Sequence, residues 1–338
     1  MRIRFNIALI YAFVLTLASC GQKNYVNEGA VWGTSYRICY SSPAGDLSDS
    51  VISVMRSVES ELSMFDSLST VSRFNRGESV EVSSMLATVL AVSRDVWRRS
   101  GGAFDPTVAP AVELWGFGRN RRSDGFVPDS SAVDSVRPLV GLDAISVTAD
   151  RRLCSATAGA GLDFSAIAKG FGVDCVAEML RRNGCSDYIV EIGGEMAVSG
   201  QSPRRRPWRV QIDSPESGID GHEALEVIEP GDCAIATSGN YRNYRQAGQR
   251  RVGHTIDPRT CYPSGSQTLS ATVVAPTCIA ADALATACMV LAKEDAFDMI
   301  AGYPGAEALI VTCADDTAAA ISVWTTPGFP RSRQGEAR

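Results

Sequence analysis

An α+β fold, with mixed or antiparallel sheets and helices packed against them, is the class this sequence predicts. Three observations carry that expectation. Segments of helical and strand periodicity follow one another without a regular βαβ rhythm. No G-x-G-x-x-G or G-x-x-x-x-G-K-[ST] follows a strand, so the usual dinucleotide and P-loop frameworks are absent. No internal repeat or linker divides the body, and 338 residues at 45% hydrophobic and 21% charged are enough to bury a substantial core.

The first element is an export signal. Arg2 and Arg4 form a basic start, and Ile7 to Leu17 is apolar apart from Thr16. That run is shorter than the about 20 residues a transmembrane helix needs. Leu17-Ala18-Ser19-Cys20 resembles a bacterial lipobox, so residues 1–19 read as a lipoprotein signal peptide and Cys20 as the lipidated residue. The other reading is an ordinary secretory signal with a chance cysteine. Residues 20–30 are expected to be a tether, and 31–330 the folded domain. The resulting localisation is exported and lipid-anchored, on the periplasmic side of a bacterial membrane.

Within the domain, Tyr36, Ile38 and Tyr40 alternate as a half-buried strand. Val51, Val54, Met55, Val58 and Leu62 recur at helical spacing behind Ser48 and Asp49 as possible caps. A second amphipathic helix is predicted over 83–100, and Arg119 to Pro128 reads as an exposed loop. A third helix runs from Ala168 to Asn183, with Arg181 and Arg182 in its last turn and Gly184 just beyond. Strands Tyr188–Ile192 and Glu195–Ser199 join through Gly193-Gly194, and Trp208, Val210 and Ile212 alternate after Arg204-Arg205-Arg206, a triplet read as a solvated loop. The last third supplies strands near 234–237, 270–275, 308–312 and 320–324, and a helix from Ala280 to Leu291.

Charge and cysteine content narrow the chemistry. Thirty-two basic against thirty-eight acidic residues give −6, which argues against nucleic acid as a partner. Lysine occurs only at 23, 169 and 293, so Lys169 in its small-residue segment stands out. With Cys20 assigned to lipid, nine scattered cysteines remain with no C-x-x-C, and most read as core. Only His222 and His254 are available as imidazoles, which disfavours a zinc cluster.

Polar islands in apolar or glycine-rich surroundings mark the candidate site. Asp282 and Thr286, four apart on a helix, put two hard oxygens on one face, a pattern suited to Mg²⁺ and equally to a helix-start carboxylate. Lys169, beside Gly170, could meet an anion at a helix start or snorkel at the surface. His254 precedes the turn Asp257-Pro258-Arg259-Thr260 and is displayed on a loop, whereas Asp105 before Pro106 has the default role of a turn residue.

Taken in order, Phe104-Asp105-Pro106-Thr107-Val108, Leu114-Trp115-Gly116-Phe117-Gly118, Asp163 to Asp174, Gly193-Gly194-Glu195, Thr237-Ser238-Gly239-Asn240-Tyr241-Arg242, His254 to Thr260 and Asp282-Ala283-Leu284-Ala285-Thr286 resemble the ApbE family of FAD:protein FMN transferases. The resemblance spans about Gly33 to Val290. It implies an α+β fold related to the T-fold, with FAD in a cleft between lobes. It also implies Mg²⁺-dependent cleavage of FAD, attachment of FMN through a phosphoester to a Thr or Ser of an acceptor of the redox-pump type, and release of AMP. By the same resemblance, the Ala166 carbonyl, Asp282 and Thr286 hold the metal. Leu62, Ser63, Met64, Asp105, Lys169 and Thr237 line the FAD site, and His254 is the base.

Trp32, Cys261, Glu191 and Glu195 depart from the family pattern. Cys261 is expected to strain its turn if the backbone there takes a positive φ. Such strain would open a second reading, an FAD pyrophosphatase using water as nucleophile; a third is a non-catalytic flavin-binding lipoprotein, which would need the pocket without the metal and base.

Overall fold

The computed structural model describes residues 23–119, 122, 125–215, 223–240, 244–247, 250–313 and 321–331. The signal segment, Cys20, His222, Tyr241, Arg242 and Ala320 lie outside the described residues.

Eight strands form one sheet: β1 (Lys23–Val31), β2 (Thr34–Ser42), β3 (Tyr188–Ile192), β4 (Glu195–Ser199), β5 (Cys233–Gly239), β6 (Thr268–Ala275), β7 (Glu307–Cys313) and β8 (Ile321–Thr325). Each pairs antiparallel with its neighbours in this order, so the sheet is a meander into which helices are inserted. This bears out the α+β expectation and excludes a doubly wound sheet.

β1 corrects the expected tether. Its sequence is mostly exposed and lacks an apolar alternation, with only Tyr25, Asn27 and Val31 half-buried. What makes it a strand is pairing with β2 from Lys23↔Ser42 to Val31↔Thr34, closed by Trp32 at φ 51° and Gly33 at φ 77°. Positive φ at both turn residues is the geometry that matches the twist of a two-residue hairpin.

The helices are α1 (Ser48–Leu62), α2 (Ser84–Arg99), α3 (Ala168–Arg182), α4 (Cys278–Cys288) and α5 (Lys293–Ala301), with shorter turns between them. Ser83 caps α2 by accepting from Leu86 N at 3.1 Å. α1 begins at Ser48 without a side-chain cap, so Ser48 and Asp49 lie in its first turn. α3 ends as expected, with Arg181 and Arg182 facing the helix carbonyl end and Gly184 at φ 78°. α4 is buried at ten of its eleven positions, the exception being Thr286, which identifies it as the central helix.

Alternation along the strands sorts the core into two faces. Ala236, Ala271, Val273 and Ile310 pack with α4, while Ile235, Val274, Leu309 and Val311 meet a hairpin of strands 210–213 and 224–228 on the opposite face. α1 lies over α3 through Val51, Met55, Val173, Val176 and Leu180. Among the described residues the nine cysteines form no disulfide, and Cys185, Cys261, Cys278 and Cys288 are buried, in line with the reading of thiols as small hydrophobes.

Candidate functional site

The site forms where α3 and α4 cross. Gly170 permits this approach: a β-carbon there would overlap the Cys278 carbonyl oxygen and stand 2.7 Å from Asp282 Cβ. The Gly170 N–H, which a continuing helix would direct at the Ala166 carbonyl, donates instead to Asp282 Oδ2 at 2.9 Å. The Ala166 carbonyl precedes the Ile167 cap of α3, one residue outside the helix and four before the N–H from which Asp282 accepts. Asp282 sits in the second turn of α4, so it is no helix-start residue. That role belongs to Asp174 of α3, whose two oxygens accept from Cys278 N at 2.9 Å and Ile279 N at 2.8 Å.

Lys169 forms an ion pair with Glu195, at the start of β4 just past the Gly193-Gly194 turn. The Glu195 side chain is 3% exposed and that of Lys169 32%, so the acid is buried and draws the ammonium inward while part of the lysine stem stays exposed. Glu195 Oε2 is buried with no partner. Burial pushes the carboxyls of Glu195 and Asp282 above their ordinary range, against the pull of Lys169. Burial alone would lower the Lys169 pKa, but the charges of Glu195 and Asp282 raise it. Burial thus favours the neutral acid at both carboxyls unless a further positive charge joins Lys169, and the unpaired buried Glu195 oxygen is costly.

Thr286 lies one turn beyond Asp282, and its Oγ1 is 3.3 Å from Ser238 Oγ on β5. The adjacent Thr237 hydroxyl is 2.9 Å from that of Thr272, its cross-strand partner. Leu62 ends α1. Its successors bend into a loop in which Ser63 Oγ accepts from Phe65 N and Asp66 N, both at 3.1 Å. Met64 Sδ stands 3.9 Å from Ser165 Oγ, which brings residues 62–64 beside Ala166. Of the residues that the family resemblance assigns to the site, Leu62, Ser63, Met64, Ala166, Lys169, Asp282 and Thr286 lie together around the crossing of α3 and α4, whereas the Thr237 side chain follows Ile235 onto the opposite face of the sheet.

Asp105 belongs to the wall of this region and organises it. Its Oδ1 accepts from Thr107 N at 2.8 Å and Thr107 Oγ1 at 2.5 Å, and its Oδ2 from Leu142 N at 3.0 Å. Burial raises its pKa against these bonds. The Pro106 carbonyl then accepts from Asp163 N at 2.7 Å, joining the Asp105 loop to the approach to α3.

His254 comes from the opposite loop and makes an edge-on contact with Phe117, ring centres 6.5 Å apart. Thr255 Oγ1 donates to Asn240 Oδ1 at 2.8 Å, tying this loop to the end of β5, two residues from Ser238. Cys261 is buried at φ 61°, as feared for that turn, and its carbonyl accepts from Trp115 Nε1 at 2.8 Å.

Sequence reasoning did not place Glu195 or Asp174 in the site. An acid directly after a Gly-Gly turn and an acid inside an apolar helix were the available signals. Among the described residues no group of three or more His, Cys, Asp or Glu is placed to hold a metal ion. The donor set here differs in kind, with a backbone carbonyl, one carboxylate and a hydroxyl. Hard oxygens, buried carboxyls that a bound cation would draw into their ionised form, and the orphaned Glu195 oxygen fit a hard divalent cation. Two surface clefts, of 510 and 830 Å³, border Asp187 and Val323 respectively and do not include these residues.

The ApbE family model matches residues 32–310. An FAD:protein FMN transferase of Vibrio cholerae is 36% identical over 299 residues, covering 86% of this chain and 88% of that protein. One of Haemophilus influenzae is 34% identical over 304 residues, covering 85% and 87%. The crystallised flavin transferase ApbE from Vibrio cholerae superposes with a TM-score of 0.80 at 34% identity, over 90% of this chain and 98% of that one. The apo flavinyl transferase ApbE of Pseudomonas stutzeri gives 0.78 at 32% identity, over 91% and 96%.

Proposed function

Since the chain belongs to the ApbE family, we infer that its site moves FMN from FAD onto a protein acceptor. It is a transferase, with FAD as substrate and a protein as the second substrate. The observation that carries the local chemistry is the buried group of Lys169, Glu195 and Asp282 at the crossing of α3 and α4.

The Ala166 carbonyl, Asp282 and Thr286 would hold Mg²⁺. When bound, that ion neutralises pyrophosphate charge and stabilises the departing AMP. Lys169 adds a fixed positive charge, and the buried Glu195 holds its ammonium in place. The loop at Leu62–Met64 and the Asp105 loop bound the space for FAD, while Thr237, assigned to it by resemblance, bonds Thr272 on the opposite face of the sheet.

The acceptor hydroxyl, from a Thr or Ser, attacks the FMN phosphorus. The oxygen–phosphorus bond forms, the pyrophosphate bond to AMP breaks, and the hydroxyl proton passes to His254. An imidazole with an ordinary pKa of about 6.5 is suited to that transfer near neutral pH. The ring contact with Phe117 restricts how His254 can turn. The Cys261 loop keeps a hydrogen-bonded anchor in Trp115 despite its positive φ, which supports an intact acceptor side and favours transfer over hydrolysis. The enzyme is exported and anchored through lipid on Cys20 at the periplasmic side of a bacterial membrane, supported by the basic, apolar and lipobox-like order of residues 2–20.

The test incubates the chain with FAD and Mg²⁺, with and without a threonine-bearing acceptor, and follows AMP and in-gel flavin fluorescence. Acceptor-dependent AMP with a fluorescent band is expected. His254→Ala should lower transfer by about 10²–10⁴-fold while sparing FAD binding. Asp282→Asn keeps an acceptor for Gly170 but removes the charge, and should stop AMP release. AMP and free FMN without acceptor would establish the pyrophosphatase, and retention of intact FAD alone the carrier.

A further inference from the structure

We propose that the end of the sheet at which Lys23 enters the fold is a membrane-facing surface that engages anionic lipid headgroups and holds the flavin site away from the bilayer. The inference rests on the lipid anchor proposed above. β1 begins only three residues after Cys20, so the chain can separate Lys23 from a lipidated Cys20 by about 10 Å at most. From there β1 runs nine residues, about 30 Å, to the Trp32-Gly33 turn. That turn belongs to the site end, because the Trp32 ring covers Gly172 of α3, three residues from Lys169. The expected ten-residue tether would have let the domain tumble, whereas a paired strand fixes which end faces the bilayer.

The register shows what else lies at the Lys23 end. Lys23 pairs with Ser42, Tyr188 with Ser199, and Cys233 with Val198. The loop after β4 projects from this end, closed by the bridge Gln201↔Pro207, with Ser202 N donating to the Arg206 carbonyl at 2.9 Å and Arg205 N to the Ser202 carbonyl at 2.8 Å. It displays Arg204, Arg205 and Arg206, all exposed, with Arg205 at φ 57°. Arg205 lies 3.8 Å from Asp187, and among the described residues Arg204 and Arg206 make no ion pair. The end of α3 adds Arg181 and Arg182, which share Glu178.

Acids share this end. Asp46 accepts from Tyr40 and Ser48, Asp187 from Gln201 N, Asp232 from Gly200 N and Glu307 from Gly328 N, while Asp49 is exposed in α1 and Glu229 is half-buried in the connection to Cys233. A tight, self-bonded loop that displays three exposed arginines, of which Arg205 stands 3.8 Å from Asp187, within reach of a lipid anchor on an acidic chain, fits an anionic headgroup layer.

All four apolar clusters lie between Tyr25 and Phe329, so a form starting at Gly21 contains the whole fold. That form would be sedimented with vesicles of phosphatidylcholine alone or with one-third phosphatidylglycerol. Binding to the anionic vesicles only, and on the order of 100-fold weaker for Arg204→Ser/Arg205→Ser/Arg206→Ser, supports the surface. Unchanged FAD binding by that variant confirms that it folds. Equal binding to both vesicles, no binding to either, or retained binding by the variant overturns the proposal. Competition by inorganic phosphate beyond that of chloride at equal ionic strength overturns it too, in favour of a free-phosphate site. The anchor is read separately: Cys20→Ala in the full chain should abolish detergent-phase partitioning, an outcome independent of vesicle binding by the Gly21 form.

Discussion

Cys261 shows how a single residue can carry both strain and packing. Its φ of 61° lies in the left-handed region, which costs an L-residue about 1 kcal/mol, yet its side chain is fully buried beneath Trp115. Alanine would keep the strain and lose the sulfur contact, while glycine would lose the contact and relieve the strain. We expect Cys261→Ala to lower the urea midpoint more than Cys261→Gly, the reverse of the usual order in a buried site. The positive φ was anticipated from the family pattern. Asp105 was legible only as a turn residue or, by resemblance, a flavin contact; its bonds to Thr107 and Leu142 show that it builds the loop wall. Leu142 lies 37 residues away, and no local pattern reports such a partner.

Elements matter through the crossing of α3 and α4. Gly170→Ala forces a β-carbon into the Cys278 carbonyl, which is backbone and cannot swing aside. A loss of about 1–3 kcal/mol in urea unfolding is expected, with transfer falling as the bond from Gly170 to Asp282 is displaced. Asp174 caps α4 from α3 and is buried enough to raise its carboxyl to about 6 from 3.8. The folded chain therefore binds this proton more tightly than the unfolded chain. Its contribution to stability is fully present below pH 3.8 and is lost as pH rises through about 6. Asp174→Asn removes that titration, so thermal melts from pH 4 to 7 should show wild type losing stability relative to the variant. A wild type that gains relative to the variant would refute this sign.

At the scale of the molecule, the site is assembled from segments spread from Leu62 to Thr286, so ligand binding should stabilise the fold as a unit. FAD with Mg²⁺ at about 100 times its Kd adds about 2.7 kcal/mol, which raises Tm by roughly 5 °C. In Asp282→Asn the Mg²⁺-dependent part of that rise should vanish while an FAD-only rise remains; an unchanged Mg²⁺ increment would remove Asp282 from the metal site.

Periodicity, caps and motif order in the sequence determined the α+β class, α2 and α3 nearly to the residue, the helical pairing of Asp282 with Thr286 and the family. These are short-range properties, set by side-chain spacing within a turn or a pleat. Tertiary structure alone decided that Lys23–Val31 is a strand, because its ordering comes from pairing with β2 and not from its own apolar pattern. It also decided that Glu195 holds Lys169 and that Asp174 caps α4, contacts spanning 26 and 104 residues. Burial at those contacts depends on which chains cross, and that crossing exists only once Gly170 lets α3 and α4 meet.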